Sequence, residues 1–421
     1  MKSHINSSSL GGYSINKKRI VLFIGGPVHQ LPAISWAKEA GLYTIVTDLN
    51  PTSHGKDLAD EFFCVSAFDY ENIEKNVLEK HKVSDIVFVY TSSDNLLEAV
   101  AHFNTIFDKK GPTLSEIEKF QDKLVMKNLL HNYGLPTPRM YDLSEVSSVK
   151  RYFINNQGFG LVVKPARSCG SKGVLNCHSY QDVLEAVGRA RSFSEDVIIE
   201  ERIGISNVVY SVSILLRDSS ICDVFIVDLR FSGSEFLLKS MTYPSNINEH
   251  SESLVYDLVT NFITSLKLRD GPFCMQVVLD QNGHPYVLEA MPYFVSDVLQ
   301  LQLDKVTKSN PLKLFFRLLS GAQMPSTFDS YELSESRGSS VHRVFSYPEN
   351  VIGHVSKINI DHEQLSSKGV FQVTTNVTVG DYVGGATNSA DYWCVVDMVS
   401  AEEVGENYFS DVFKHTSIVV S

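Results

Sequence analysis

The stretch VVKPARSCGSKGV, residues 162–174, ends a β-branched run in a lysine and follows it with small residues. An apolar core has no use for Lys164 at that place. A lysine on a strand end suits an anion such as a nucleotide phosphate, which needs cations and backbone N–H donors at short range. The loop after it can supply the donors. Gly170 and Gly173 let the backbone approach phosphate without a Cβ clash, and Ser168 and Ser171 add little bulk. Taken alone, the loop also reads as an ordinary hairpin, with Lys172 as its solvated tip. A second chemically loaded point is Glu289, which closes the apolar run PYVLEA. A carboxylate there is costly to leave unpaired, so a metal or a cation is expected beside it.

Composition bounds what these residues can serve. The chain has 421 residues, 43% of them hydrophobic, enough for roughly two to four domains. Its formal net charge is -12 and it has no lysine/arginine block. A surface that grips nucleic acid over a large area is therefore not expected. The six cysteines (Cys64, Cys169, Cys177, Cys222, Cys274, Cys394) are spread widely and never form a CxxC pair. That spacing predicts reduced thiols rather than a disulfide framework or a zinc site. No run of 18 or more apolar residues occurs, and the polar start MKSHINSSSLGGYSINKKR lacks an apolar targeting segment. The expectation is a cytoplasmic protein that does not enter membranes, with a flexible tail over residues 1–18.

The elements that must position these residues follow from the pattern of apolar runs. RIVLFIGG, YTIVTDLNP and DIVFVYTSSD alternate with helical stretches, which predicts βαβ units and a parallel sheet over residues 19–110. Gly25 and Gly26 sit where such a sheet brings backbone near a ligand. The GxGxxG pattern is absent, however, so a tight strand-to-helix turn is the favoured reading. Residues 113–132 carry apolar positions at three- and four-residue steps and predict one amphipathic helix, stopped by YGLPTP. Strands bunched around long helices then suggest an α+β unit with an antiparallel sheet, and the last ninety or so residues read mostly as strand.

The order VVKP, Gly/Ser loop, IIEERI, QVVLD and VLEAMP resembles the ATP-grasp superfamily, closest to its biotin-carboxylase-like and L-amino-acid-ligase-like members. The resemblance covers nearly the whole chain. It implies an N-terminal Rossmann-like domain (19–110), a central ATP-grasp domain (111–325) and a β-rich C-terminal domain (326–421). Overall the fold class is α/β and α+β. The activity implied is that of an ATP-dependent carboxylate–amine ligase, which forms an amide or peptide-like bond through an acyl phosphate with Mg²⁺. Its implied partners are small-molecule carboxylate and amine substrates, and a homodimer is compatible with it. Carried over by motif, Lys123 and Lys164 hold phosphate and Glu200 meets the adenine amino group. The main chain from Glu201 to Ile203 takes the purine edge, and Gln276 and Glu289 hold Mg²⁺. Lys239 and Arg343 match the lysine and arginine that carboxylase-like members place on the reacting group. His342 beside Arg343 reads as a structural residue.

Three positions depart from the family pattern. Met291 stands where an asparagine ligand is expected, and a thioether is a poor ligand for a hard cation. Tyr293 replaces the arginine that anchors substrate, and Val209 replaces the acid on the ribose. These departures set up the alternative expectation of an ATP-grasp-fold nucleotide-binding protein with lost or altered catalysis.

Overall fold

The computed structural model describes residues 18–420, apart from 143, 156–159, 205–206, 219, 233–235, 295–300, 302, 304–305, 308–309, 323–338, 349–350, 385, 387–390, 402–403 and 405. The tail expected over residues 1–18 lies almost wholly outside the described residues.

The first strands are continuous apolar runs because helices cover both faces of their sheet. β1 (Ile20–Ile24), β2 (Tyr43–Thr47), β3 (Glu61–Phe63) and β4 (Ile86–Tyr90) form a parallel sheet in the order β3-β2-β1-β4. α1 (Leu31–Glu39), α3 (Tyr70–Lys80) and α4 (Leu97–Ile106) supply the cover, and α2 (His54–Leu58) follows β2. The chain runs outward from β1 to β3 and returns on the other side as β4. The strand order therefore reverses between β1 and β4, and in open α/β sheets a ligand crevice lies at such a point, outside the carboxyl ends of the strands. Gly26 is packed against the Gly55 backbone and Ser53, where an added Cβ would come within 3.2 Å and 2.7 Å. It serves the tight turn favoured from sequence.

The helix expected over residues 113–132 is two helices, α5 (Leu114–Gln121) and α6 (Lys123–Asn132). Asp122 breaks the run with an extended backbone (φ -95°, ψ 105°), and its side chain accepts hydrogen bonds from the N–H groups of Leu124 and Val125. The hydrophobic period continues through the break, so periodicity alone could not reveal it. An aspartate N-cap offers a local alternative to helical continuation.

Next come β5 (Met140–Tyr141), α7 (Val146–Asn155), β6 (Leu161–Pro165), β7 (Leu175–Cys177), α8 (Tyr180–Ala190) and β8 (Val197–Glu201). Their strands pair antiparallel in the order β5-β8-β6-β7, with α7 and α8 packed on one face. A larger antiparallel sheet faces this small one. It is built from β9 (Val208–Arg217), β10 (Ser220–Ser232), β11 (Leu237–Tyr243), β12 (Gly271–Leu279) and β13 (Pro285–Met291), with α9 (Glu249–Leu266) packed against it. The order β13-β12-β9-β10-β11-β14-β18-β16 shows that the large sheet continues into the last part of the chain. It does so through β14 (Ser340–Ser346), β16 (Val370–Thr375) and β18 (Cys394–Ser400). β15 (Gly353–Ile360), β17 (Tyr382–Val383) and β19 (Thr416–Val420) form a separate three-stranded sheet. α10 (Pro311–Leu319) packs Phe315 and Phe316 into the core of the first sheet, beside Phe23 and Tyr90. All six cysteines are free thiols, and no described helix is long and apolar enough to cross a membrane.

Candidate active site

A cavity of about 590 Å³ lies between the small and large antiparallel sheets, with the carboxyl end of β4 contributing to its wall. Lys164, at the end of β6, enters it from the small sheet with only 6% of its surface exposed. Its Nζ lies 2.7 Å from Oε1 of Glu200, the residue on neighbouring β8 that faces the same side. The other carboxylate oxygen of Glu200 meets Lys127 Nζ at 2.6 Å. Lys127 is fully buried on α6 and also donates to Thr137 Oγ1 at 2.9 Å, while the Thr137 hydroxyl donates to the carbonyl of Val287. Burial alone would raise the pKa of Glu200, but the two lysines outweigh it and hold the carboxyl below its usual range. Burial draws Lys127 down to about 8 against the pull of Glu200. Two cations share one anion here, so the cluster keeps one net positive charge facing the cavity.

Lys123 begins α6, placed by the Asp122 cap. Its Nζ donates to the carbonyl of Ser168 at 2.6 Å and lies 3.5 Å from Glu289 Oε2. It thereby links the glycine loop to the large sheet. In that loop Ser168 Oγ donates to the Lys172 carbonyl, and Gly170, Ser171 and Gly173 all have positive φ (66°, 61° and 75°). Gly170 faces the cavity. Gly173 is instead wedged against Phe193 and Pro165, where a Cβ would meet atoms at 2.7 and 2.9 Å. Lys172 is exposed. At the other end, the N–H of Glu201 donates to Arg139 and that of Arg202 to Gly160. Among the described residues the N–H of Ile203 has no acceptor, and Ile203 lines the cavity.

On the large sheet Gln276 and Glu289 face each other directly across β12 and β13, and both line the cavity. An amide oxygen and a carboxylate suit Mg²⁺, which takes one or two protein carboxylates and completes its shell with phosphate and water. Among the described residues no group of three or more His, Cys, Asp or Glu side chains is placed to hold a metal. The two-ligand pair thus fits only an ion shared with phosphates. Met291, Tyr293 and Val209 also line the cavity.

Lys239 and Arg343 are not among the lining residues. Arg343 is buried and donates through one nitrogen to both oxygens of Asp397, at 3.2 and 3.1 Å. The strand pairing runs Val209–Leu229–Met241–Arg343. Arg343 is therefore three strands from Val209, roughly 14 Å at the usual strand spacing. Lys239 lies over the ring of Tyr347, 5.5 Å from its centre. His342 is buried, with its ring nitrogens 3.1 Å from Thr242 Oγ1 and 2.7 Å from Ser340 Oγ.

Sequence reasoning missed Lys127, which lies behind the cavity wall, and Asp94, which lines it. Lys127 was signalled by its place four residues after Lys123, one helical turn on. Asp94, which ends TSSD after β4, lines the cavity opposite Glu289. Its loop is fixed by buried Gln30, which bonds the Gly25 carbonyl at 2.7 Å and the Ser92 N–H at 2.9 Å.

Comparison with known proteins agrees with this fold. The family model described as D-ala D-ala ligase C-terminus matches residues 129–293. The chain is 25% identical over 309 residues to the 3-methyl-D-ornithine–L-lysine ligase of Methanosarcina mazei, covering 72% of each protein. It is 28% identical over 125 residues to the Methanosarcina barkeri ligase of the same description, a stretch spanning 33% of that protein. Among solved structures, the L-amino acid ligase of Bacillus licheniformis superposes with a TM-score of 0.78 at 17% identity, covering 96% of this chain and 99% of that one. The N5-carboxyaminoimidazole ribonucleotide synthetase of Thermotoga maritima gives 0.67 at 18%, covering 96% and 100%. The chain has the ATP-grasp fold.

Proposed function

We propose that the protein activates a small-molecule carboxylate with ATP and joins it to an amine. It is an ATP-dependent ligase that forms C–N bonds. The observation that carries this reading is the single cavity in which Lys123, Lys164 and the glycine loop meet the Gln276–Glu289 pair. Cations and open backbone on one wall suit a triphosphate, and hard oxygen ligands on the other suit the ion that accompanies it.

In this reading Lys164 and Lys123 hold phosphate, the Ile203 N–H takes the purine edge, and Glu200 accepts from the adenine amino group. The loop from Ser168 to Gly173 covers the phosphates. Mg²⁺, held by Gln276 and Glu289, neutralises phosphate charge when bound. The carboxylate oxygen of the substrate attacks the terminal phosphorus, ADP leaves, and the amine then displaces phosphate from the acyl carbon. Lys123 and Lys164 stay fixed while charge shifts toward the leaving ADP, which is how preorganised cations lower such barriers. Arg343 and Lys239 lie outside the nucleotide cavity, so a role for either on the acyl group requires a substrate that extends over the sheet face. The test is ADP release on a panel of amino acids taken in pairs. Release that depends on one amino acid and yields an amide supports the reading. Thermal stabilisation by ATP without turnover on any pair would count for the non-catalytic alternative.

A further inference from the structure

Lys127 touches no ligand in the ligase reading above, yet its side chain is fully buried. A buried ammonium is costly unless it is paired, and the pairing here is specific. Its Nζ meets Glu200 Oε2 at 2.6 Å and donates to Thr137 Oγ1 at 2.9 Å. The Thr137 hydroxyl donates in turn to the Val287 carbonyl on β13. The lysine is thus anchored to the large sheet while it grips a carboxylate of the small one.

The other oxygen of Glu200 is held by Lys164 at 2.7 Å. Lys164 faces two demands, because it also lines the cavity in which phosphate binds in that reading. A triphosphate carries more charge than one carboxylate and competes for that ammonium. Were Lys164 the sole partner, Glu200 would be left as a lone carboxylate with 2% of its surface exposed. Such a group takes up a proton. Lys127 is not subject to the same competition, since it does not line the cavity. Lys127 and Lys164 are the charged groups that act on Glu200, and its neighbours Met140 on β5 and Val162 on β6 are uncharged. Glu289 reaches Lys127 only by longer-range attraction.

We propose that Lys127 is a positioning residue for base recognition: it keeps Glu200 an acceptor-only carboxylate while Lys164 serves the phosphates, so that the site selects a purine carrying a 6-amino group. The inference rests on the nucleotide part of the ligase reading and deepens it. An ionised acceptor holds an N–H donor more strongly than a neutral one does, and that difference is what Lys127 supplies.

The test compares equilibrium binding of ATP and of purine riboside 5′-triphosphate, which lacks only the 6-amino group, both with Mg²⁺. Their phosphates are identical, so the ratio of the two Kd values isolates the base. In the wild type ATP should bind roughly tenfold or more tightly, as a hydrogen bond to a charged group predicts, with the ratio steady from about pH 6 to 7.5. In Lys127→Met the ratio at neutral pH should fall to roughly threefold or less, and climb again as pH rises and Glu200 loses its proton. In Glu200→Gln the ratio should be low at every pH, and adding Lys127→Met should lower it no further. A ratio untouched by Lys127→Met, with both Kd values rising together, overturns the proposal, since the lysine would then act on the phosphates alone. A lowered ratio that ignores pH overturns it too, because lost packing would suffice. A wild-type ratio near one overturns it without any variant. If neither nucleotide binds the wild type, it is the ligase reading that fails.

Discussion

Lys164 and Glu200 illustrate how a residue's neighbours decide its chemistry. A lysine paired with one buried carboxylate would offer no net charge to a phosphate. Lys127 supplies the second cation that leaves the cluster positive, although it never touches the cavity. Lys127→Met should therefore weaken ATP binding about tenfold, and adding Glu200→Gln should recover most of it, since net charge returns to one positive. Equilibrium binding of ATP to both variants checks this, and a double variant weaker than the single would contradict it. The pH dependence has a definite sign. Lys127 titrates near 8 and is charged below that, so wild-type ATP affinity should fall as pH rises through about 8. In the double variant that fall should vanish. Met291 allows a second residue-scale test. Met291→Asn adds an oxygen ligand next to the Gln276–Glu289 pair and should lower the Mg²⁺ concentration for half-maximal rate, whereas Glu289→Ala should abolish turnover. Lys164 and Glu289 stood out in the sequence because each is a charge closing an apolar run, whereas Gln276, inside β12, was named only through the resemblance. Lys127 and Asp94 did not stand out, because each looks like a solvated surface charge until the fold turns it inward.

Among the elements, the glycine loop shows which glycines the fold needs and for what. Gly170 has open space around its missing Cβ, whereas Gly173 is wedged between Phe193 and Pro165. Both have positive φ, so either alanine costs about 1–2 kcal/mol in backbone strain. Gly173→Ala must also displace the Phe193 ring or the loop. It should lower the melting temperature and weaken ATP binding more than Gly170→Ala does, as thermal denaturation and ATP titration would show. Equal effects would mean that the loop does not depend on that packing. The sequence marked both glycines as phosphate-cradle residues and could not separate them, since the distinction lies in a contact twenty residues away. The break at Asp122 was hidden for a related reason. The apolar period runs through it unbroken, and only the cap reveals that Lys123 starts a new helix aimed at the cavity.

For the whole molecule, alternation of apolar runs and helices was enough to give the parallel first sheet, and strand bunching gave the antiparallel ones. What sequence did not show is that the large sheet continues from β11 into β14, because nothing local records pairing between strands about a hundred residues apart. That junction carries a pH-dependent group. Burial lowers the pKa of His342 to about 4 from an ordinary 6.5. Between those values the unfolded chain binds the proton more readily, so stability rises with pH there and is lost on acidification. Asp397 acts in the opposite sense, since burial raises it to about 6 despite Arg343. The two are separated by comparing wild type with His342→Gln from pH 4 to 6.5. The wild type's relative stability should drop on acidification, by at most about 3 kcal/mol. A difference independent of pH would show that His342 is not buried neutral at the junction.

The account as a whole stands on transfer of a carboxylate oxygen to phosphorus, and an isotope reports that directly. With an amino acid labelled in its carboxyl group with ¹⁸O, turnover with ATP and a second amino acid should place one labelled oxygen in each inorganic phosphate released, with ADP as the nucleotide product. Label appearing in AMP, or phosphate released without label while amide forms, would contradict the acyl-phosphate mechanism.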